Sequence, residues 1–400
     1  MRVLHLVKTS DGATWAAEQA AELVARGVDV HVVIPSLEGR ATGLWRASGA
    51  VVHQFGSDLP IREPWRFPSV IAGFRRLFDR LHPDLVHSHF FGTTVVMRLA
   101  LGRSHLVPRV YQVAGPLHLE HAPYRRAEIG LAGPSDFWIG SSRYITDIYQ
   151  RAGVSSERLF LSYYGIRVDR FGPGRTGEFR AKLGIPAEGI VVGNISYFYA
   201  PKRYLGQTVG VKRPEMLIEA LGLLVSSESR LWGVLAGAPW GRSQGYLDRL
   251  RRRAARVGDG RILLPGLVPS GEVTKSWTGF DLAVHVPMSE NCGGVVEPLL
   301  CGVPVLASRT GGLPEVIVDG RTGTLVDDVK PARLASAIRR AINEIDQGKA
   351  MAARGQRMVR VMFDVARTAG EVHDVYRHLL EGAPPPVWFD PRPWCGSPDG

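Results

Sequence analysis

Ser289–Asp327, SENCGGVVEPLLCGVPVLASRTGGLPEVIVDGRTGTLVD, is the stretch on which the reading of this chain turns. It reads as loop, short helix, strand, glycine turn and helix. Cys292-Gly293-Gly294 opens a helix beginning near Val295. Pro298 falls in its first turn, where a missing N–H costs nothing. Gly302 closes the helix, and Pro304 stops it continuing. Val305-Leu306-Ala307 is apolar enough for a buried strand, and Gly311-Gly312 lets the backbone turn tightly behind it. Gly293 and Gly294 leave free amides at a helix N-terminus, a ready place for a phosphate. Glu290 and Glu297 flank those amides. A carboxylate beside a diphosphate is electrostatically awkward unless it accepts hydrogen bonds from hydroxyls, and sugars supply hydroxyls. The residues ask for a ligand carrying both phosphate and sugar.

This segment resembles the donor-binding signature of the retaining glycosyltransferases of family 4 (glycosyltransferase group 1), which have the GT-B fold. In that family a Glu, a glycine-containing loop and a second Glu precede a CG-x-PV element, followed by GG-x-x-E and DG-x-TG. The matching residues here are Glu290, Gly293, Gly294, Glu297, Cys301, Gly302, Pro304, Gly311, Gly312, Glu315, Asp319, Gly320 and Gly323. The resemblance implies an α/β protein with two Rossmann-like domains facing across a cleft and a C-terminal helix crossing back to the N-domain. It also implies that Glu297 holds a nucleotide ribose and that Glu290 faces the transferred sugar. The chain has one residue fewer between these two Glu than the family pattern, so the loop carrying Glu290 is expected to sit differently.

Length and composition fit a two-domain enzyme. The chain has 400 residues, 45% of them hydrophobic, enough for two cores. No run of about 18 apolar residues appears, so no bilayer span is expected. The N-terminus, MRVLHLVKTSDG, reads as a short strand rather than a signal peptide. Three cysteines, Cys292, Cys301 and Cys395, make neither a disulfide framework nor a metal-ligand spacing. A cytoplasmic protein is expected, with the inner face of the membrane as the second reading.

The formal charge is +11, and only seven of the 49 basic residues are Lys. Such a surface suits nucleic acid, anionic lipid or a nucleotide diphosphate. No helix-turn-helix, zinc finger or RNP-type motif is present, so nucleic acid is not the expected partner. Arg251-Arg252-Arg253 reads as the solvated face of a helix. Pro64–Leu81, PWRFPSVIAGFRRLFDRL, mixes Trp, Phe and Arg in a helical pattern. Packing against the sheet is its first reading, and peripheral membrane contact, as the family resemblance suggests, its second.

Strands alternate with helices along the chain, which argues for parallel sheets. The first half offers strands at Arg2–Val7, Val28–Ile34, Leu85–Ser88, Val110–Val113 and Phe137–Gly140. The second restarts at Ile190–Ile195 and continues through Leu231–Ala236, Ile262–Leu264 and Leu282–Val286. YYGIRVDRFGP resembles the family's interdomain segment, with Tyr164 where the family commonly has Asn. The expected division is an acceptor-binding domain over 1–170, a nucleotide-sugar domain over 171–360, a closing helix over 361–381 and a mobile tail over 382–400. That tail has six prolines in nineteen residues.

Further candidates lie outside the signature. Ser10-Asp11-Gly12-Ala13 joins the first strand to the first helix, where a phosphate or sugar can approach main-chain amides. The family often has two glycines here, and this chain keeps only Gly12. Lys212 matches the family's lysine that neutralises the departing diphosphate. Its cationic partner is Lys202 or Arg203, displaced by the inserted stretch YAPKRYLGQTVG. His87 and His89 sit at a strand's C-terminal end, where open α/β sheets place ligands. The resemblance calls for a donor-facing histidine after the next strand; His118 is the first candidate and His89 the second. The catalytic set is thus His118, His89, Lys212 and Glu290. No D-x-D pair exists in the chain, and a metal-independent, retaining transfer from a UDP- or GDP-sugar is expected. No other cofactor is called for. The acceptor is a small molecule, saccharide or lipid-linked hydroxyl. The alternatives are a transfer-incompetent homologue acting as a binding partner and a nucleic-acid binder.

Overall fold

Short β-branched runs alternating with amphipathic helices build crossover after crossover onto parallel strands, because a right-twisted strand feeding a helix returns beside itself in one hand. In the computed structural model, which describes residues 1–174, 177–241, 243–391 and 393, these crossovers form two α/β units. One comprises Met1–Arg167 with Met362–Asp390, the other Val168–Val361.

The first unit holds seven parallel strands: β1 (Arg2–Leu6), β2 (Asp29–Ile34), β3 (Val51–Gln54), β4 (Leu85–Ser88), β5 (Arg109–Val113), β6 (Asp136–Gly140) and β7 (Leu159–Leu161). Their order is β3-β2-β1-β4-β5-β6-β7. The chain runs outward from β1 in one direction and from β4 in the other, so the loops after these two strands diverge and leave a crevice. On one face the helices Thr14–Ala25 and Val365–Glu381 bury Ala16, Ala20, Leu23, Val372, Val375 and Tyr376 against the sheet. On the other, the helix Phe67–Leu81 buries Val70, Phe74, Leu77, Phe78 and Leu81. Its apolar stripe is therefore spent on the sheet, while Ile61 and Trp65 just before it are 81% and 74% exposed.

Beneath this unit's sheet lies a wholly buried ion network. Arg98 Nε donates to Asp136 Oδ1 at 2.9 Å, its other terminus meets Glu128, and Arg109 reaches Asp136 Oδ2 at 2.6 Å. Trp138 Nε1 closes the cluster on Glu128 at 2.9 Å.

The second unit holds β8 (Ile190–Ile195), β9 (Leu231–Ala236), β10 (Ile262–Leu263), β11 (Leu282–His285), β12 (Val305–Ser308) and β13 (Thr324–Val326). The order β10-β9-β8-β11-β12-β13 repeats the same reversal, now between β8 and β11. Val192, Leu235, Val284 and Leu306 form its core with Leu217, Ile218, Leu221 and Ile338.

Part of the tail expected to be mobile is held in place. Arg143 donates to the Phe389 carbonyl at 2.7 Å, and the Arg367 guanidinium lies 4.3 Å from the Phe389 ring centroid. Residues 394–400, with Cys395, lie outside the described residues. Among the described residues no helix is long and apolar enough to cross a membrane.

The ion network makes one expectation definite. Arg98→Met strands Glu128 and half of Asp136 without a counter-ion, and should lower stability by about 3–5 kcal/mol. Urea denaturation of the two proteins measures this, and a loss below about 1 kcal/mol would show the network to be energetically idle.

Candidate active site

The reversal between β8 and β11 puts two loops side by side, and the signature residues sit on them. Glu290 follows β11 closely, and its largely buried carboxylate collects three partners. Lys212, from the loop after β8, forms an ion pair with Oε2. His285 Nε2, at the end of β11, lies 2.8 Å from the same oxygen. The Asn291 N–H donates to Oε1 at 3.0 Å. Burial alone would raise the Glu290 pKa, but the Lys212 charge and the His285 hydrogen bond outweigh it and hold the carboxyl well below the usual range.

His285 is itself fixed from behind. Asn194 Nδ2, at the end of β8, donates to His285 Nδ1 at 3.0 Å and to the Val284 carbonyl at 2.9 Å. Nδ1 is thereby the acceptor, so Nε2 carries the proton offered to Glu290. Burial lowers the His285 pKa, which keeps the ring neutral. Gly294 makes the space: a Cβ there would lie 2.1 Å from His285 Nε2. The Gly311 turn, at φ 58°, closes on Glu290 from the other side, where a Cβ would meet its carbonyl oxygen at 1.9 Å.

Gly293–Val295 forms a single 3-10 turn leading into the helix Val296–Leu300. The N–H groups of Gly293 and Gly294 open it and, as at any helix start, have no acceptor within it. Glu297 is the second residue of that helix, and its Oε2 accepts from Trp277 Nε1 at 3.1 Å. Two residues further along the segment hold its backbone. Asp319 Oδ1 accepts from the Leu325 N–H at 2.8 Å, and the Thr322 hydroxyl donates to the Val316 carbonyl at 2.7 Å.

The two candidate cationic partners of Lys212 lie on the inserted stretch after β8. Arg203 lines a separate cavity with Arg249 and Arg253. The Lys202 N–H donates to Gln207 Oε1 at 3.0 Å. Arg213 is a further cation beside the β11 loop, and its guanidinium donates to the Pro287 carbonyl at 3.0 Å. Its adjacency to Lys212 was the only signal in the sequence. Tyr199 was also missed; burial and the nearby Glu290 charge push its hydroxyl up to about 12.

In the first unit, β1 and β4 pair with His5 opposite His87, and His89 follows β4. His5 Nδ1 and His89 Nε2 are 2.9 Å apart, His89 Nδ1 is 3.0 Å from the Tyr164 hydroxyl, and His87 Nδ1 meets the Tyr376 hydroxyl. His89 has no exposed surface and both ring nitrogens are engaged, so it is an interior group rather than the donor-facing residue expected. His118 ends the 3-10 turn Pro116–His118, half-buried beside Phe91, with Nε2 3.3 Å from the Tyr111 hydroxyl. Burial pushes its pKa down to about 3, against a bond to the Gly115 backbone. Gly12 lies in the loop after β1, and Ala13 behind it holds φ 60°, ψ 35°. That left-handed conformation costs a non-glycine residue about 1–2 kcal/mol, and it is where the resemblance expects the second glycine. Between this loop and the one after β2 lies a cavity of about 400 Å³ lined by Lys8, Ser10, Asp11, Ser36 and Glu38.

Comparison with known proteins agrees with this geometry. The family profile "Glycosyltransferase Family 4" matches residues 12–170, and "Glycosyl transferases group 1" matches residues 203–358. The chain is 26% identical to the D-inositol 3-phosphate glycosyltransferase of Acidothermus cellulolyticus, over 92% of this chain and 85% of that one. It is 28% identical to D-inositol 3-phosphate glycosyltransferase 1 of Catenulispora acidiphila, over 92% and 90%. Among solved structures, Anabaena HepE in complex with UDP and glucose superposes with TM-score 0.77 at 21% identity, covering 94% of this chain and 99% of that one. Sucrose-phosphate synthase of Thermosynechococcus elongatus gives TM-score 0.76 at 18% identity, covering 96% and 100%. The fold is that of the GT-B proteins. The chain belongs to the group 1 glycosyltransferases of family 4, and is a glycosyltransferase.

The histidine cluster sets a pH dependence. Burial takes His5 from 6.5 down to about 3, and pushes His87 and His89 down as well. The unfolded chain takes up these protons first, so stability is full above pH 6.5 and falls as the pH drops towards 3. The melting temperature should therefore fall steadily from about pH 7 to pH 5, and less steeply in His5→Gln. Parallel profiles for the two proteins would show that the cluster is not the source.

Proposed function

We propose that the protein moves a sugar from a UDP-sugar held by the second unit to a hydroxyl of a small polyhydroxylated acceptor held by the first. The observation that carries this is the meeting of Lys212 and Glu290 at the β8–β11 reversal, beside the Gly293-Gly294 helix start. Lys212, with Arg213, supplies positive charge for the leaving diphosphate. Glu290, ionised at any physiological pH, accepts from sugar hydroxyls. Glu297 accepts from the ribose while Trp277 holds its other side. Support for the base comes from the HepE complexes with UDP and with UDP-glucose. Support for the acceptor comes from the relatives' name, D-inositol 3-phosphate glycosyltransferase, and from the cavity that Lys8, Ser10, Asp11 and Glu38 line.

In this reading the bond from the anomeric carbon to the diphosphate oxygen breaks, and the acceptor oxygen bonds to the same face. The acceptor's proton passes to the leaving diphosphate, and configuration is retained. Fixed cations, rather than a metal ion, stabilise the developing charge, in keeping with a chain that has no D-x-D pair. A cytoplasmic location belongs to the same proposal. His118 is kept as a partner for a sugar hydroxyl. The binding-only reading is not favoured, since the chain keeps Lys212, Glu290 and Glu297.

Incubating the protein with UDP-glucose and an inositol phosphate, and following UDP release and the anomeric coupling of the product by NMR, tests the reading. UDP release to no acceptor, or a β-linked product, would overturn it. Glu297→Ala should weaken UDP binding by about 1.5–3 kcal/mol in calorimetry. Unchanged affinity would remove the ribose assignment. Lys212→Ala should lower turnover about 10²–10³-fold with little change in acceptor KM, because the cation acts on charge that grows in the transition state. Turnover near the parent value would move that role to Arg213.

A further inference from the structure

The inserted stretch after β8 builds something of its own. Residues 200–209 fold over the helix Gln244–Val257, which follows β9, and enclose a cavity of about 240 Å³ at the C-terminal ends of these two strands. Three arginines line it: Arg203 from the insertion, and Arg249 and Arg253 from successive turns of the helix. Arg253 shares Glu219 with Arg256, at 3.0 and 3.4 Å. Arg203 and Arg249 have no carboxylate partner among the described residues; Arg249 only overlies the Tyr246 ring at 5.6 Å. The carboxylate within the lining, Glu215, is already committed. It accepts from the Tyr246 hydroxyl at 2.7 Å and from the Gly210 N–H at 3.2 Å.

Like charges gathered on one concave wall repel unless an anion enters, and guanidinium groups favour oxyanions because their paired N–H donors match two oxygens at once. The space exceeds one phosphate, since a water takes about 30 Å³ of liquid volume. The wall also leads directly to Lys212. Gly210, tied to Glu215, precedes it by two residues, and its carbonyl accepts from the Arg213 N–H at 2.8 Å.

We propose that the Arg203–Arg249–Arg253 cavity is a second anion site, distinct from Lys212–Glu290, that takes a phosphoryl group from a small phosphorylated molecule or from free phosphate. A bound phosphoryl group bridges the insertion to the helix and so fixes the base of the Lys212 loop. The separation of the two sites rests on the donor reading above.

Calorimetric titration of the intact protein, first saturated with UDP so that the donor diphosphate position is filled, tests this. Inorganic phosphate is one titrant and glucose 6-phosphate the other. One equivalent should bind, and the tighter titrant identifies the source. Binding should weaken at least about tenfold in Arg203→Gln/Arg249→Gln, whose melting temperature without ligand should match the parent, and change by less than roughly threefold in Lys212→Ala. No binding to the parent, equal binding to the double variant, or loss in Lys212→Ala alone would each overturn the proposal. If UDP itself fails to bind, the donor reading falls, and the same titrations without UDP still report the arginine dependence.

Discussion

An ionised carboxylate can be kept from water only where donors replace the water it loses, and Glu290 imposes that condition on the whole end of the second sheet. Lys212 supplies the opposing charge, His285 a neutral N–H, and Asn194 the tautomer that makes His285 a donor. Gly294 is small because His285 stands where its side chain would be. The Gly311 turn is left-handed because the Glu290 backbone occupies the inside of the bend. Motif letters that look like separate requirements are thus one requirement, seen from several positions.

The two units use one topology for opposite electrostatics. At the β8–β11 reversal charges are concentrated and paired. At the β1–β4 reversal the residues corresponding in place are His5, His87 and His89, their ring centroids within 5.1 Å of one another and their charge disfavoured by burial. A phosphate-bearing ligand finds fixed charge in the second unit. In the first, polar contact is left to loop residues such as Ser10 and Asp11, around a neutral floor.

Much of this was legible because it is local. Glycine and proline mark turns wherever they fall, so Gly293-Gly294, Gly302 and Gly311-Gly312 announced their bends, and the strands of both sheet centres read as apolar runs. The parallel pairing followed from the alternation of elements, whereas the order of the strands did not. β3, β7 and β13 escaped notice: all are short edge strands, and β3 is half-exposed without an apolar run. Side-chain pairing across the fold was not legible at all. His89 and His5 are 84 positions apart, and only the register of β1 with β4 brings them together, turning His89 inward. Trp277 behind Glu297 and Tyr199 beside Glu290 had no sequence signal, since an aromatic residue in an α/β protein is ordinarily core.

The first unit is discontinuous: Met362–Asp390 returns to it after the whole second unit has been traversed. Tyr376, wholly buried, brings its hydroxyl to His87 and His5 from that returning segment. On the ribosome, therefore, the first unit is made first but finished last. Until Met362–Asp390 emerges, its sheet lacks one covering helix and its three histidines lack their lid, whereas the sheet of the second unit and the helices that cover it all lie within Val168–Val361. For the two sheets and the helices that cover them, order of synthesis and order of completion run opposite ways in this chain.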